Sequence, residues 1–98
     1  MLPLITLHSE QDRMMVAHLD PQLQDVLASN KDRIQRRAAL FRAPLLDSIS
    51  GMEVILTIEG VEQHVRVKTR VIAAGDDCVL LEQGIALPAS CIREIQFS

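Results

Sequence analysis

The spacing of the apolar residues changes at Gly51, and this change constrains the fold more than any other feature of the sequence. Before Gly51, apolar residues recur every three or four positions, which is the period of one helix face. After Gly51 they alternate with polar residues, which is the period of a half-buried strand. A chain of 98 residues has room for one core. We therefore predict one α+β domain, with a helical segment at residues 1–50 and a small β-barrel at residues 51–98.

Two start signals predict helices in the first half of the chain. Ser9-Glu10-Gln11-Asp12 has the spacing of a capping box, and we expect about two turns of helix after it. Asp20 before Pro21 predicts the start of a long helix, because proline has no amide that needs a partner in the first turn. Pro44 disfavours helical backbone in the residue before it, so this helix is expected to end near Arg42. The helix should pack on the sheet through a stripe of apolar residues. They are Leu23, Leu27, Ile34, Ala38 and Phe41.

Five short strands are predicted in the second half of the chain. They lie at residues 53–58, 63–71, 78–82, 85–87 and 92–97, with one helical turn at residues 89–91. A tight turn at Glu59-Gly60 pairs Ile58 with Val61 and Val54 with Val65, which places the apolar residues of both strands on one face. The second strand is long and must bend. The expected core residues are Val54, Leu56, Val65, Val67, Leu81 and Ile95. Closure into a barrel hides the edges of so small a sheet.

The stretch from Gly51 to Phe97 resembles the Sm-like barrels, which are small SH3-type barrels. The resemblance is carried by the first strand Glu53-Val54-Ile55-Leu56-Thr57-Ile58, by the turn Glu59-Gly60 and by the closing segment from Ile85 to Ile95. Proteins with this fold include the bacterial Hfq riboregulators, the Rho-binding antiterminators and the barrel domain of the ribosome maturation factor RimP. The resemblance implies a five-stranded, strongly bent antiparallel barrel and a binding role in RNA or transcription regulation. It also implies a homo-oligomer, and we expect a dimer.

The chain differs from the Hfq proteins where those proteins contact uridine. Hfq proteins carry a Lys-His pair in the closing segment, whereas this sequence reads Leu87-Pro88-Ala89-Ser90. The Rho-binding antiterminators are small and acidic and act by binding a protein. The net charge of −3 fits that group better. Uridine recognition of the Hfq kind is therefore not expected.

Residue types and their spacing argue against several classes of function. The possible metal donors are scattered and include no closely spaced pair, so we expect no metal site and no cofactor. They are His8, His18, His64, Cys78 and Cys91. The sequence has no Gly-x-Ser-x-Gly elbow and no glycine-rich phosphate loop, so we do not expect an enzyme. No apolar run reaches the length of a membrane span. We expect a cytoplasmic protein that contacts no membrane and whose two cysteines are buried free thiols.

Two clusters of basic residues are the candidate binding surfaces. The first lies in the second half of the predicted long helix and consists of Arg33, Arg36 and Arg37, with Lys31 and Arg42 nearby. The second lies on the outer face of the second strand and consists of His64, Arg66, Lys68 and Arg70. Arginine suits bidentate contact with phosphate or carboxylate, so we expect a partner that is RNA or a protein of RNA metabolism.

Each basic cluster also has a purely structural explanation. Basic residues near the end of a helix complement its negative pole, and basic residues on a strand pair with acids on the neighbouring strand, here Glu53 with Arg66. The alternative function is homo-oligomeric assembly or protein docking with no nucleic-acid role.

Overall fold

Helices fill most of the first half of the chain and strands fill the second half, as the change of apolar period predicts. The computed structural model describes residues 2–22 and 24–97. Its helices are α1 (Glu10–Ala17) and α2 (Asn30–Ser50). Its strands are β1 (Leu4–Thr6), β2 (Val54–Glu59), β3 (His64–Thr69), β4 (Val71–Ala74), β5 (Cys78–Leu81), β6 (Ala86–Pro88) and β7 (Ile92–Phe97). The predicted α+β class is confirmed, and so is the helical turn at Ala89–Cys91.

The strands form two sheets, with the orders β1-β3-β2-β7 and β4-β5-β6. The predicted second strand is divided at Arg70, where the chain leaves the first sheet and enters the second. The N-terminal segment adds a short edge strand, because β1 pairs in parallel with β3 and places Leu4 opposite Arg66. The expected five strands are therefore seven among the described residues. The ladders between these residues do not join the two sheets into a closed barrel.

The predicted register of the first hairpin is wrong by four positions. Ile58 lies opposite Val65 rather than Val61. The turn is wider than two residues because the amide of Val61 donates to the carbonyl oxygen of Asp20, at 2.8 Å, instead of to a hairpin partner. A shift by an even number of residues leaves every side chain on its predicted face. The core prediction is therefore unaffected by the error.

Residues from both sheets and both helices form one apolar core. Five of the six predicted core residues are buried, and the sixth, Ile95, is half-buried and packs against the same cluster. The N-terminal segment and α1 contribute Leu7 and Val16, which are fully buried. Leucine, isoleucine and valine supply most of the core, as expected for a chain with two phenylalanines and no tryptophan or tyrosine.

The start of α1 is as predicted, whereas the start of α2 is not. The hydroxyl of Ser9 accepts the amide of Asp12 at 3.0 Å and caps α1. Pro21 starts no helix, because it forms an isolated bridge with Gly60. Residues 24–29 form neither a helix nor a strand, the amide of Val26 donates to the carbonyl oxygen of Ser90 at 3.0 Å, and α2 begins at Asn30.

Pro44 lies inside α2 and does not end it, contrary to the prediction. The helix continues to Ser50, and Gly51 ends it with a left-handed backbone (φ 65°) and an amide that donates to the carbonyl oxygen of Asp47. An internal proline loses one backbone hydrogen bond and costs about 3 kcal/mol. The turn before Pro44 packs into the core through Ala43, so tertiary contacts hold the helix together across it.

Both cysteines are free, but only Cys91 is buried as expected. Cys78 is exposed, because it begins β5 and its neighbour Val79 occupies the core side of the strand.

Candidate functional site

The outer face of α2 carries an apolar stripe that no other part of the described chain covers. We call Ile34, Ala38, Phe41, Leu45 and Ile49 the α2 stripe. The exposed fractions of its large members are 60% for Ile34, 40% for Phe41, 64% for Leu45 and 81% for Ile49. The prediction that Ile34, Ala38 and Phe41 pack on the sheet is therefore wrong. Leu27 is buried but precedes the helix, and Leu23 lies outside the described residues.

The error has a physical cause, because α2 is apolar on more than one side. Leu40 and Ala43 are the buried residues of the helix, and they lie on the side opposite the α2 stripe. Periodicity reveals that a face is apolar but not which of two apolar faces meets the sheet. The buried side also includes Arg36, which a search for an apolar stripe does not select.

Arg36 is a structural residue rather than part of a reachable surface. Its guanidinium donates to both carboxylate oxygens of Asp25, at 2.7 and 2.5 Å, and to the carbonyl oxygen of Ile92 at 3.1 Å. Only 9% of its side chain is exposed. The hydrogen bond from Arg36 lowers the pKa of Asp25, although partial burial opposes that shift. The expectation that all three arginines of the first cluster stay reachable is wrong for this one.

Arg33 and Arg37 are exposed but already have partners. Arg33 donates to the carbonyl oxygen of Leu27 at 2.7 Å and lies 3.7 Å from Asp25. Arg37 forms an ion pair with Asp76 in the turn between β4 and β5, and its guanidinium carbon lies 5.5 Å from the ring centre of Phe41. Only the Arg37–Asp76 pair is open to solvent on both sides, so a stronger anionic ligand can compete for the Arg37 guanidinium at little cost.

The second basic cluster is divided by the bend between the sheets. His64, Arg66 and Lys68 share the outer face of β3. Arg70, which follows β3, forms an ion pair with Asp47 of α2. Arg66 lies opposite Thr57, so the predicted cross-strand pairing with Glu53 is wrong. The structure gives Arg66 and Lys68 no acidic partner within ion-pair distance among the described residues.

Basic side chains border the α2 stripe on both sides. Arg37 lies on one side, and Lys31 and Arg42 lie on the other. The guanidinium carbon of Arg42 lies 4.6 Å from the ring centre of Phe97, which holds the charge beside the stripe. In the part of the chain that is described, neither Lys31 nor Arg42 has an acidic partner within ion-pair distance. We call Lys31, Arg37 and Arg42 the basic rim.

The acidic residues of α2 lie away from the stripe. Asp32 precedes Ile34 by two residues, or about 200° of helix rotation, which places it on the far side. Asp47 is half-buried and is engaged by Arg70. The exposed face of α2 therefore combines apolar side chains with positive charge, and this combination suits an apolar ligand with anionic edges.

The extent of the α2 stripe is that of a binding surface. Together its side chains expose on the order of 500 Å² of apolar surface, near the upper end of the patches that single-chain proteins leave exposed. A cleft of about 200 Å³ adjoins it, lined by Ile34, Arg37, Leu40 and Asp76 among others. Sequence reasoning found Ile34, Ala38 and Phe41 but placed them in the core. It missed Leu45 and Ile49 as members of the stripe, because the helix was expected to end near Arg42.

Comparison with models of protein families, with curated proteins and with solved structures gives no match for this chain. Across residues 2–22 and 24–97, no three histidine, cysteine or acidic side chains are grouped as a metal site requires. Neither helix in the described part is both long enough and apolar enough to cross a bilayer.

Proposed function

We propose that this chain is a non-enzymatic docking module that binds a protein partner through the α2 stripe. The observation that carries the proposal is the exposure of four large apolar side chains on one face of a helix whose opposite face is anchored in the core. Leaving such a patch in water costs free energy that binding recovers. Two of the three arginines that suggested RNA binding by the helix, Arg33 and Arg36, lie within ion-pair distance of the largely enclosed Asp25, which weakens that alternative.

We further propose that residues 51–97 form a small barrel of the Sm-like kind. The strand order supports this, because β7-β2-β3 is continued by β4-β5-β6 through the bend at Arg70. With β3 and β4 counted as one bent strand, the five strands after Gly51 are neighbours in one continuous order, as in a bent sheet that curls toward closure. On this basis the partner is a protein of RNA or transcription regulation in the cytoplasm.

The docking proposal is tested by making the most exposed end of the α2 stripe polar. We expect the double variant Leu45→Ser/Ile49→Ser to lose the partner that the wild-type chain captures from its host lysate. Its free energy of unfolding should change by less than about 0.5 kcal/mol, because both side chains are largely exposed. Affinity capture followed by mass spectrometry, with and without nuclease, measures the first effect, and urea unfolding measures the second.

A matched control is Val61→Ser, which removes an exposed apolar side chain far from α2 in sequence, in the turn after β2. It should keep the partner. Capture of the same proteins by the double variant and the wild type would show that the α2 stripe is not the docking surface.

A second candidate function is RNA contact through the outer face of β3. The observation that favours it is the absence of an ion-pair partner for Arg66 and Lys68 among the described residues. Phosphate contacts release counterions, so such binding weakens steeply as salt rises. We expect Arg66→Glu/Lys68→Glu to abolish any salt-sensitive RNA binding in a filter assay. RNA binding that survives this variant would remove β3 as the RNA surface.

A further inference from the structure

We propose that the partner of the α2 stripe presents an acidic amphipathic helix. This inference rests on the proposed docking function and specifies the chemistry of the partner. It follows from two properties of the same face, which are the helical spacing of its apolar side chains and the sign of the charges that border them.

The spacing of the α2 stripe suits another helix. Its members are three or four residues apart over the 16 residues from Ile34 to Ile49, which is about 22 Å of helix. Ala38 lies between Ile34 and Phe41 on the stripe, and its methyl group is shorter than the side chains on either side of it. A side chain of a second helix can pack over this small residue, as ridges enter grooves where helices pack. The apolar residues of the partner should therefore recur every three or four positions.

The charge of the basic rim selects the partner's polar residues. Lys31 and Arg42 have no acid within ion-pair distance in the described part of the chain, and the ion pair of Arg37 is exposed. The helix α2 carries five basic and two acidic residues, and both acids lie away from the stripe. Glutamates that flank an apolar stripe on the partner would meet this rim. Such complementary charges increase both the rate and the specificity of association.

The same rim argues against a second copy of this chain as the occupant. In an antiparallel two-fold pair of α2 helices each flank of the stripe meets the same flank of the other copy, and in a parallel pair it meets the opposite flank. Both flanks are basic, so either pairing brings like charges together, which is unfavourable. An anionic bilayer is also disfavoured, because the chain has no tryptophan or tyrosine to anchor at the interface and its net charge is −3.

The experiment uses two synthetic helical peptides of about 16 residues as probes. Both carry leucine at the spacing of the α2 stripe, and they differ only in that the flanking residues are glutamate in one and lysine in the other. Fluorescence anisotropy of the labelled peptides measures their affinity for the whole chain. We expect the acidic peptide to bind at least about tenfold more tightly, and the preference to fall as salt screens the charges.

Variants connect that preference to the proposed contacts. Lys31→Glu/Arg42→Glu should reverse the preference toward the lysine peptide, and Leu45→Ser/Ile49→Ser should weaken both peptides. Lys68→Glu, on β3, makes the same change of charge at one residue away from the basic rim. It should leave the preference for the acidic peptide unchanged. Lys31→Gln/Arg42→Gln, which removes these two charges without reversing them, should abolish the preference for the acidic peptide. It replaces Lys31→Glu/Arg42→Glu in the experiment if that variant does not fold.

The outcomes separate the inference from the docking function beneath it. If both peptides bind equally well and both lose affinity for Leu45→Ser/Ile49→Ser, the proposal of an acidic partner is overturned but the docking function is not. Binding of neither peptide would overturn the inference, and so would binding to vesicles of phosphatidylglycerol and phosphatidylcholine in their place. A wild-type dimer that Leu45→Ser/Ile49→Ser dissociates would identify a second copy as the occupant. The docking function itself is tested only by the capture experiment, in which Leu45→Ser/Ile49→Ser should lose the partner that the wild-type chain binds.

Discussion

At the scale of single residues, Arg36 and Asp25 form the most enclosed ion pair among the described residues. The carboxylate of Asp25 also accepts a hydrogen bond from the amide of Leu27, at 2.8 Å. Asp25 therefore links the segment before α2 to the helix. The enclosed charge of Arg36 is stable only while the Asp25 carboxylate stays ionised. The pair therefore explains why an arginine occupies the buried side of a helix.

We expect Asp25→Asn to lower the free energy of unfolding at pH 7 by about 3 kcal/mol, because it leaves the Arg36 guanidinium buried without a counter-charge. The pKa of Asp25 is lowered in the folded chain from its ordinary value of 3.8. The stability from this shift is complete above pH 3.8 and is lost as the pH falls from there toward the lower folded pKa. The difference in free energy of unfolding between Asp25→Asn and the wild-type chain should therefore be smaller at pH 3 than at pH 7, as measured by urea unfolding.

Asp76→Asn is the matched control, because it removes the acid of the exposed pair with Arg37. It should change the free energy of unfolding by less than about 0.5 kcal/mol at either pH. A loss as large as that of Asp25→Asn would mean that burial does not distinguish the two pairs.

The two cysteines should differ in reactivity. Cys78 is exposed, whereas Cys91 is buried and burial raises the pKa of its thiol. Because the thiolate is the reactive form, a thiol that is both enclosed and protonated reacts slowly. We expect Ellman's reagent to label one thiol per chain rapidly under native conditions and both in urea. Rapid native labelling that persists in Cys78→Ser would contradict the burial of Cys91.

At the scale of elements, α2 determines what the surface of the molecule presents. One side meets β4 and β7 and holds the ion pair with Asp25, and the other side presents the α2 stripe. The stripe extends on both sides of Pro44, from Ile34 to Ile49. A break of the helix at Pro44 would divide it, so the docking surface depends on the continuity of α2.

We expect Pro44→Ala to raise the free energy of unfolding by about 1 to 3 kcal/mol, because it restores a backbone hydrogen bond and removes the clash of the proline ring inside a helix. The helical signal in far-ultraviolet circular dichroism should not increase, since α2 already continues past this residue. Gln35→Ala, an exposed helix position, should change stability only slightly. A clear gain of helical signal in Pro44→Ala would show that the helix of the wild-type chain ends at the proline.

At the scale of the whole molecule, the free edges of the sheets offer a route to self-association. Among the described residues β7 pairs only with β2, so its other edge has no strand partner. The edge of β6 is short and ends at Pro88, which has no amide to donate. The six residues of β7 are the better edge for strand pairing between copies.

We expect the chain to sediment as a dimer at micromolar concentration, through β7 rather than α2. The double variant Leu45→Ser/Ile49→Ser should then keep the dimer mass. A mass near that of the 10.9 kDa monomer for the wild-type chain would contradict the prediction.

The sequence by itself determined the α+β class, the start of α1, the inward faces of the strands and most of the core. These follow from local rules, because alternation and capping depend on neighbours in the chain. Only the tertiary structure decided the hairpin register, since Val61 pairs with Asp20 from a distant segment. It also decided the continuation of α2 across Pro44.

The candidate site depended on tertiary structure most of all. Periodicity selected Ile34, Ala38 and Phe41 as an apolar stripe, yet Asp25 brings the side that contains Arg36 into the interior and leaves that stripe outside. The choice between two apolar faces of one helix is made by partners distant in the sequence. A buried ion pair between an arginine and a loop carboxylate has no local signature, because its stability comes from the enclosure that the rest of the fold provides.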